Sequence, residues 1–258
     1  VIRSLNEKEN ITKFVYYCMK EMQALIYDLK KGANQPHVYK KDLENFKIPL
    51  PPIEKQKGIV SLMEEQENII SKEEKIIEEE NNKINSFDFS GHKLIKLKEI
   101  ISLLYGVSLP ERNRIDGEYP VYGSDGIIGY HNNFLVKAPN IIIGRKGSAG
   151  EINFATKNFT PIDTTFYIKP LTDFNFKYIF YILKSMNLKQ YKTGLGSGGI
   201  NRTFILNLNV HYTHPTEEQN KIVSQLEIHE QKIEQSKDKI TKAKEKQKEI
   251  INDIIQIY

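Results

Sequence analysis

The stretch IPLPPIEKQKGIVSLMEEQENIISKEEKIIEEENNKI, residues 48–84, decides how this chain is read. It opens on proline and contains no glycine after Gly58. Leu62, Ile69 and Ile76 recur every seven residues, as do Met63, Ile70, Ile77 and Ile84, with Glu and Lys between them. A narrow seven-residue apolar stripe flanked by charge is coiled-coil patterning. Pro51 and Pro52 suit the upstream border of a helix. The pattern returns near the other end of the chain. After Pro215, with Thr216 and Glu218 offering a helix start, Leu226, Ile233, Ile240 and Ile254 keep one frame, which Gln247 interrupts. Two ordinary amphipathic surface helices are the plainer alternative. Spans of 35 and 43 residues (53–87 and 216–258), with one glycine between them, favour the coiled coil.

The two stretches belong to an internal repeat. Pro52-Ile53-Glu54-Lys55-Gln56 is matched by Pro215-Thr216-Glu217-Glu218-Gln219, and Ile59-Val60-Ser61 by Ile222-Val223-Ser224, at an offset of 163. With a one-residue gap, Leu43, Asn45, Phe46 and Ile48 fall on Ile205, Asn207, Leu208 and Val210. Further upstream, Val15-Tyr16-Tyr17-Cys18-Met19-Lys20 falls on Ile179-Phe180-Tyr181-Ile182-Leu183-Lys184. The repeated unit is an aromatic helix, a polar loop, a short strand-like segment ending in proline, and a long heptad helix. Only the second copy has a glycine-rich front, residues 88–175. With a first residue of Val1 rather than Met, this asymmetry is expected of a fragment that lacks the front of its first copy.

Composition narrows the class. In 258 residues there are 37 Lys and Arg against 33 Asp and Glu, 39% hydrophobic residues and one cysteine, Cys18. That is enough apolar chain for one large or two modest cores. No apolar run approaches the roughly 18 residues of a membrane helix, no secretory leader is legible, and a single cysteine makes no internal disulfide. A reduced, cytoplasmic protein is the expectation. Residues 88–215 carry 15 basic and 9 acidic side chains, whereas 53–87 carry 5 and 9 and 216–258 carry 8 and 9. Thirteen of the 15 glycines lie between Gly91 and Gly199. Turn-rich, basic chain therefore alternates with long charged helices.

Within the basic segment, Tyr119–Tyr122, Gly126–Tyr130, Asn140–Ile143 and Thr165–Ile168 read as strands separated by turn signals. Gly123-Ser124-Asp125-Gly126 is one turn. Gly144-Arg145-Lys146-Gly147-Ser148-Ala149-Gly150 is another, and it sets two cations beside glycines that let backbone N–H groups approach an oxyanion. Phosphate contact is the functional reading; a hairpin turn with solvated charges is the plain one. A third loop, Lys192–Arg202, follows an aromatic helix expected at 174–187 and is read as preceding a strand-like run. Its Gly194, Gly196 and Gly199 formally spell a dinucleotide motif, but that motif must follow a strand and open a helix. A mobile or DNA-approaching loop fits better.

No P-loop sequence and no HExxH helix is present. His211 and His214 stand three apart without a third ligand in view, so solvated or packing histidines are the expectation and no metal or cofactor is expected on the chain. The glutamates of 53–87 read as a solvated face, Asp163 as a turn residue and Cys18 as a core residue. No catalytic constellation stands out.

In its order of motifs the chain resembles the DNA specificity subunit of type I restriction–modification systems. The likeness rests on Tyr119-Pro120-Val121-Tyr122-Gly123 with Gly126 and Gly129-Tyr130, then Ile143–Gly150, then Asp163-Thr164. To these are added Ile48–Gln56 running into a long helix and a worn copy ending at Gln219, in which His211-Tyr212-Thr213-His214-Pro215 replaces the cleaner proline box. It covers essentially the whole chain.

The resemblance implies an α+β fold, with a β-rich target-recognition domain carrying small helices and two long antiparallel coiled-coil spacer helices. Residues 1–52 would be the tail of a first recognition domain, 53–87 the first spacer helix, 88–215 a second recognition domain and 216–258 the second spacer. A 35-residue helix is roughly 50 Å long, about 15 base pairs of B-DNA, a scale suited to split half-sites. The implied role is non-catalytic recognition of duplex DNA. Implied partners are methyltransferase subunits, which would bind S-adenosylmethionine and flip the adenine, and a restriction or translocase subunit; no membrane is involved. The long helices also offer a route to self-association. The DNA-contacting residues expected on this basis are Tyr122, Ser124, Arg145, Lys146, Ser148, Lys192, Ser197, Asn201 and Arg202. Three other readings compete: the recognition tail of a fused restriction–methylation enzyme, a coiled-coil scaffold whose basic domain binds protein, RNA or membrane, and a nuclease or phosphotransferase built on Gly144–Gly150 with Asp163 or His131.

Overall fold

The structure, a computed structural model, describes residues 11–30, 37–44, 46–194, 198–214 and 216–255. In chain order its helices are α1 (Thr12–Glu21), α2 (Gln23–Asp28), α3 (Lys40–Glu44), α4 (Ile53–Asn85), α5 (Phe176–Ser185), α6 (Arg202–Leu206) and α7 (Thr216–Ile255). Its strands are β1 (Lys93–Lys96), β2 (Ile101–Tyr105), β3 (Tyr119–Gly123), β4 (Gly126–His131), β5 (Asn140–Gly144), β6 (Ile152–Ala155), β7 (Thr160–Pro161), β8 (Thr165–Pro170) and β9 (Asn209–Tyr212). The chain divides into one compact unit of residues 1–79 with 232–258, and a second of residues 80–231.

The first unit is helical. Phe14, Tyr17 and Cys18 of α1 are buried against Ile59 and Met63 of α4 and Ile251 and Ile254 of α7. The start of α4 therefore meets the end of α7, and the two helices run antiparallel. Each fully buried side chain of this size contributes roughly 1.5–3 kcal/mol. Of the two heptad frames legible on α4, the structure buries one at its two ends. Met63 and Ile84 turn inward and Ile70 and Ile77 between them are half-buried, whereas Leu62 is 48% exposed and Ile69 and Ile76 are half-buried, so the Leu62–Ile69–Ile76 frame lies on a flank of the seam. The other seam positions of α4 are partly polar. Glu73 is buried and accepts from the Ser236 hydroxyl at 2.7 Å and from Lys239 Nζ at 3.1 Å. Ser236 first, and Lys239 after it, hold the Glu73 carboxyl below the ordinary carboxylate range. In the second unit, Glu80 is likewise buried and pairs with His229 and Lys83. The expectation of a wholly solvated glutamate face fails at these two positions. Their heptad places point them into the seam, where partners on the facing helix satisfy them.

The second unit is β-rich. β2-β8-β5-β6 form an antiparallel sheet, β4-β3-β7 a smaller one in which β3 and β7 are parallel, and β1-β9 a two-stranded ribbon. All four strands expected from the sequence are present, extended by one or two residues. β5 is buried along its whole length, which suits an apolar run between two neighbours. Asn140 is buried with it and bridges β5 to β8, donating to Ile168 O at 3.0 Å and accepting from Ile168 N at 3.1 Å. α5 is apolar on nearly every side, with Tyr178–Leu183 all buried, and it lies against β5 and β6. Phe180 meets Phe154 of β6 edge to face at 5.4 Å.

The repeat survives in three dimensions. α1 and α5 are equivalent at an offset of 164, α3 and α6 at 162, and α4 and α7 start at an offset of 163. Gln56 and Gln219 occupy the same place in the two copies, both buried. Gln56 accepts from Ile11 N at 2.9 Å and donates to Pro51 O at 2.8 Å. Gln219 accepts from Asn175 N at 2.8 Å and donates to Thr213 O at 2.8 Å and to the Tyr212 hydroxyl at 3.1 Å. Each glutamine thus ties the residue preceding the aromatic helix to the segment preceding the long helix. The expected strand-like segment forms only in the second copy, as β9, which has β1 to pair with. Residues 46–52 form no strand.

Candidate nucleic-acid interface

Three segments of the second unit meet at one backbone carbonyl, and a fourth is fastened to them. Thr164 O accepts from Arg145 N at 2.8 Å, from Lys146 N at 3.2 Å and from the Ser124 hydroxyl at 2.9 Å. The β3–β4 turn and the glycine loop after β5 are thereby fastened to the turn before β8. The loop after α5 joins them. Ile200 N donates to Arg145 O at 3.0 Å, Lys146 bridges to Gly199, and Lys192 Nζ donates to Gly147 O at 3.0 Å.

Two glycines make this stacking possible. A Cβ on Gly144 would lie 2.3 Å from Ser148 O, and one on Gly198 would lie 2.2 Å from Thr193 O; both collide with backbone that cannot yield.

The expected contact residues divide. Ser124, Arg145, Lys146, Ser148, Lys192, Asn201 and Arg202 all lie on the converging segments. Lys146, Lys192, Asn201 and Arg202 are exposed, while Ser124, Arg145 and Ser148 are half-buried. Ser197 lies outside the described residues. Tyr122 does not belong with them. It is 7% exposed and packs edge to face on Phe159 at 5.4 Å, and burial pushes its phenol above the ordinary range. Its place in β3 points it into the core, so it is withdrawn as a contact residue.

The expected strand after Lys192–Arg202 is likewise corrected. The loop opens α6, because the Asn201 side chain caps it by accepting from Phe204 N at 3.0 Å. The loop still follows helical chain rather than a strand, so the dinucleotide motif has no structural counterpart.

One member of the site was missed from sequence. Tyr105, the last residue of β2, is 49% exposed, and two guanidiniums gather on its ring, Arg145 at 5.2 Å and Arg202 at 5.3 Å from the centroid. Phe166 supports the ring at 5.1 Å. Exposed aromatic and arginine together form the chemistry that stacks on and hydrogen-bonds to nucleic acid. The available signal was an aromatic ending an apolar run directly before Gly106. With Arg145, Lys146, Lys192 and Arg202, the segments carry four cations against the exposed carboxylates of Asp125 and Asp163.

The remaining candidates are structural. Asp163 sits in the turn before β8. His211 Nδ1 lies 3.0 Å from His92 O, and no group of three metal-ligating side chains exists among the described residues. No helix among the described residues is long and apolar enough to cross a membrane.

The second unit is thus an α+β unit with cationic loops fastened to one another, on a chain whose long helices pair antiparallel. The family model for the type I restriction modification DNA specificity domain matches residues 1–86 and again 89–245, and the chain belongs to that family. The type I restriction enzyme MjaVIII specificity subunit of Methanocaldococcus jannaschii is 40% identical over 65 residues, 25% of this chain and 15% of that protein's length. The crystal structure of the type I restriction–modification S subunit from M. genitalium has the same fold. It is 20% identical, with a TM-score of 0.63 over 97% of this chain and 74% of the other. A structure described as concerning complex assembly and conformational transition of the type I system gives 0.59 at 17% identity, over 98% and 73%.

Proposed function

We propose that the chain is a DNA-recognition element of a type I restriction–modification system and that its reading surface is the loop cluster around Thr164. The observation that carries this reading is the cluster itself. The β3–β4 turn and the glycine loop share the Thr164 carbonyl and the loop after α5 is bonded to Arg145 O, which fixes the three backbones against one another before any ligand arrives, and the exposed groups they present are cations, amides and hydroxyls beside a half-exposed tyrosine. Pre-organised donors of this kind suit base edges and phosphates.

Residues 88–215 are the recognition domain in this reading, 1–52 the tail of another, and 53–87 with 216–258 the spacer helices that set the distance between half-sites. The chain performs no chemistry. It positions methyltransferase subunits over an adenine, and S-adenosylmethionine and the base-flipping pocket belong to those subunits. A nuclease subunit joins the same assembly, in the cytoplasm. Four cations at the surface predict that duplex affinity falls steeply with salt.

The test is to map N6-methyladenine across the genome with and without the gene that encodes the chain. Loss at a split motif with a constant gap is the expected result. An unchanged map, with the methyltransferase demonstrably expressed, would move the reading to a coiled-coil scaffold.

A further inference from the structure

The four cations of the loop cluster are not equivalent, and the difference assigns them roles. Lys146 and Lys192 are exposed on long stems, and Lys192 reaches back to Gly147 O. Arg202 is exposed, rests on Tyr105 and leans on Leu103 O at 3.4 Å. Arg145 is held differently. Its backbone is pinned on both sides, N–H to Thr164 O and C=O to Ile200 N. The residue is half-buried, its guanidinium lies over the Tyr105 ring, and its Nε is buried with no hydrogen-bond partner among the described residues. A buried guanidinium N–H without an acceptor is costly unless a ligand supplies one.

We propose, on the basis of the recognition reading above, that Arg145 reads a guanine in the target and that Tyr105 is the residue that positions it. Guanine offers N7 and O6 side by side in the major groove, the acceptor pair that matches a planar guanidinium fork. A rigid fork is suited to an edge of fixed geometry. Phosphate oxygens tolerate mobile cations, and that work falls to Lys146 and Lys192. Arg202, sharing the Tyr105 ring, keeps the local potential positive, so that an electronegative edge relieves two neighbouring like charges at once.

The experiment is selection from a duplex library with randomised positions, using the full chain, followed by the salt dependence of binding to the selected duplex. The wild-type chain returns a motif with at least one strongly preferred guanine. Arg145→Lys keeps the charge and loses the fork, so preference at that one position falls by roughly 5- to 150-fold while the salt slope stays the same. Tyr105→Ala blunts the same position, and Tyr105→Phe, which keeps the ring, does not. Circular dichroism melts establish that each variant folds, and the Tyr105 pair decides the matter should Arg145→Lys melt early.

A motif unchanged in Arg145→Lys overturns the assignment. So does an Arg145→Ala chain that binds all duplexes uniformly more weakly with a slope shallower by about one, the signature of a phosphate contact. A wild-type chain that selects no sequence removes the recognition reading itself, an outcome distinct from either.

Discussion

The two copies of the repeat share a frame and differ in what covers it. In the first copy α1 lies on the start of α4, with Lys13 paired to Glu64 and the Tyr17 hydroxyl donating to Glu67 at 2.8 Å. In the second copy the equivalent residues of α5 and α7 face one another again, with Lys177 paired to Glu230 and Tyr181 buried beside it. The match is not complete. At the 163-residue offset the counterpart of Glu64 is Glu227, whereas Lys177 pairs with Glu230, the counterpart of Glu67; burial, followed by the Glu230 charge, pushes the Tyr181 phenol up. The larger difference is on the opposite face. Phe180 is 6% exposed beneath β6, whereas its counterpart Tyr16 is 54% exposed. Aromatic helix, glutamine tie and long helix recur as a mounting, and the β-rich chain laid over one copy is the part that changes.

The largest expected effect breaks this comparison at its widest point. Phe180→Ala empties a site lined by Phe154 and Tyr181 and should cost about 3–5 kcal/mol. Tyr16→Ala should cost no more than about 0.5 kcal/mol. Urea unfolding of the two variants measures the gap. Equal losses would mean that the face of α1 is covered in solution.

The glutamine ties come next. Gln219→Leu leaves Asn175 N–H and Thr213 C=O without their partner and removes a bond to Tyr212. Each orphaned buried group costs about 1–3 kcal/mol, so a loss of about 2–4 kcal/mol is expected. Gln56→Leu abandons Ile11 N–H and Pro51 C=O and should lose a comparable amount, read by urea unfolding of the two variants. A loss near zero for either variant would show that its copy is held together by contacts other than the glutamine.

How far the sequence alone reaches follows from which signals are local. Heptads, glycine density and apolar runs between turns are local, and they located both long helices, four strands and the glycine loop. The offset between Gln56 and Gln219 exposed the repeat, but not the purpose of the glutamines, because their partners Ile11 and Asn175 lie 45 and 44 residues away. Strand composition placed Tyr122 in β3 without saying that β3 is the middle strand of its sheet and is buried from Pro120 to Gly123, on both faces. Tyr105 was invisible for a related reason. Only β2–β8 pairing and the fold of two distant loops bring Arg145 and Arg202 to its ring. A helix start after Asn201 was legible in principle, since Asn is a favoured cap, but five residues of helix give too little periodicity to read.

Acid sharpens the view of the seam. Glu73 has its carboxyl held below the ordinary range by Ser236 and Lys239, so the folded state binds its proton less readily than the unfolded chain does. The stability it contributes is complete at neutral pH and is withdrawn as pH falls below the ordinary glutamate value of about 4.3. Glu73→Gln should therefore lower stability at pH 7 and show a smaller further loss between pH 5 and 3 than the wild-type chain. Guanidinium unfolding at the three pH values reads this directly. A variant with the wild-type acid slope would mean that other carboxylates set it.

The smallest effect tests which frame of α4 makes the seam. Leu62 and Met63 are neighbours in sequence, each begins a perfect seven-residue series, and the sequence offers no ground for choosing between them. The structure chooses Met63, fully buried in the cluster with Phe14 and Ile254, and leaves Leu62 nearly half exposed. Leu62→Gln should change stability by no more than about 0.5 kcal/mol, because the amide stays hydrated and little apolar area leaves the interior. Met63→Gln places an amide among Phe14, Tyr17 and Ile251 with no partner to satisfy it and should cost several times as much. A large penalty at Leu62 would show that the flank series is also covered, and by something other than α7, since α7 already fills the Met63 side.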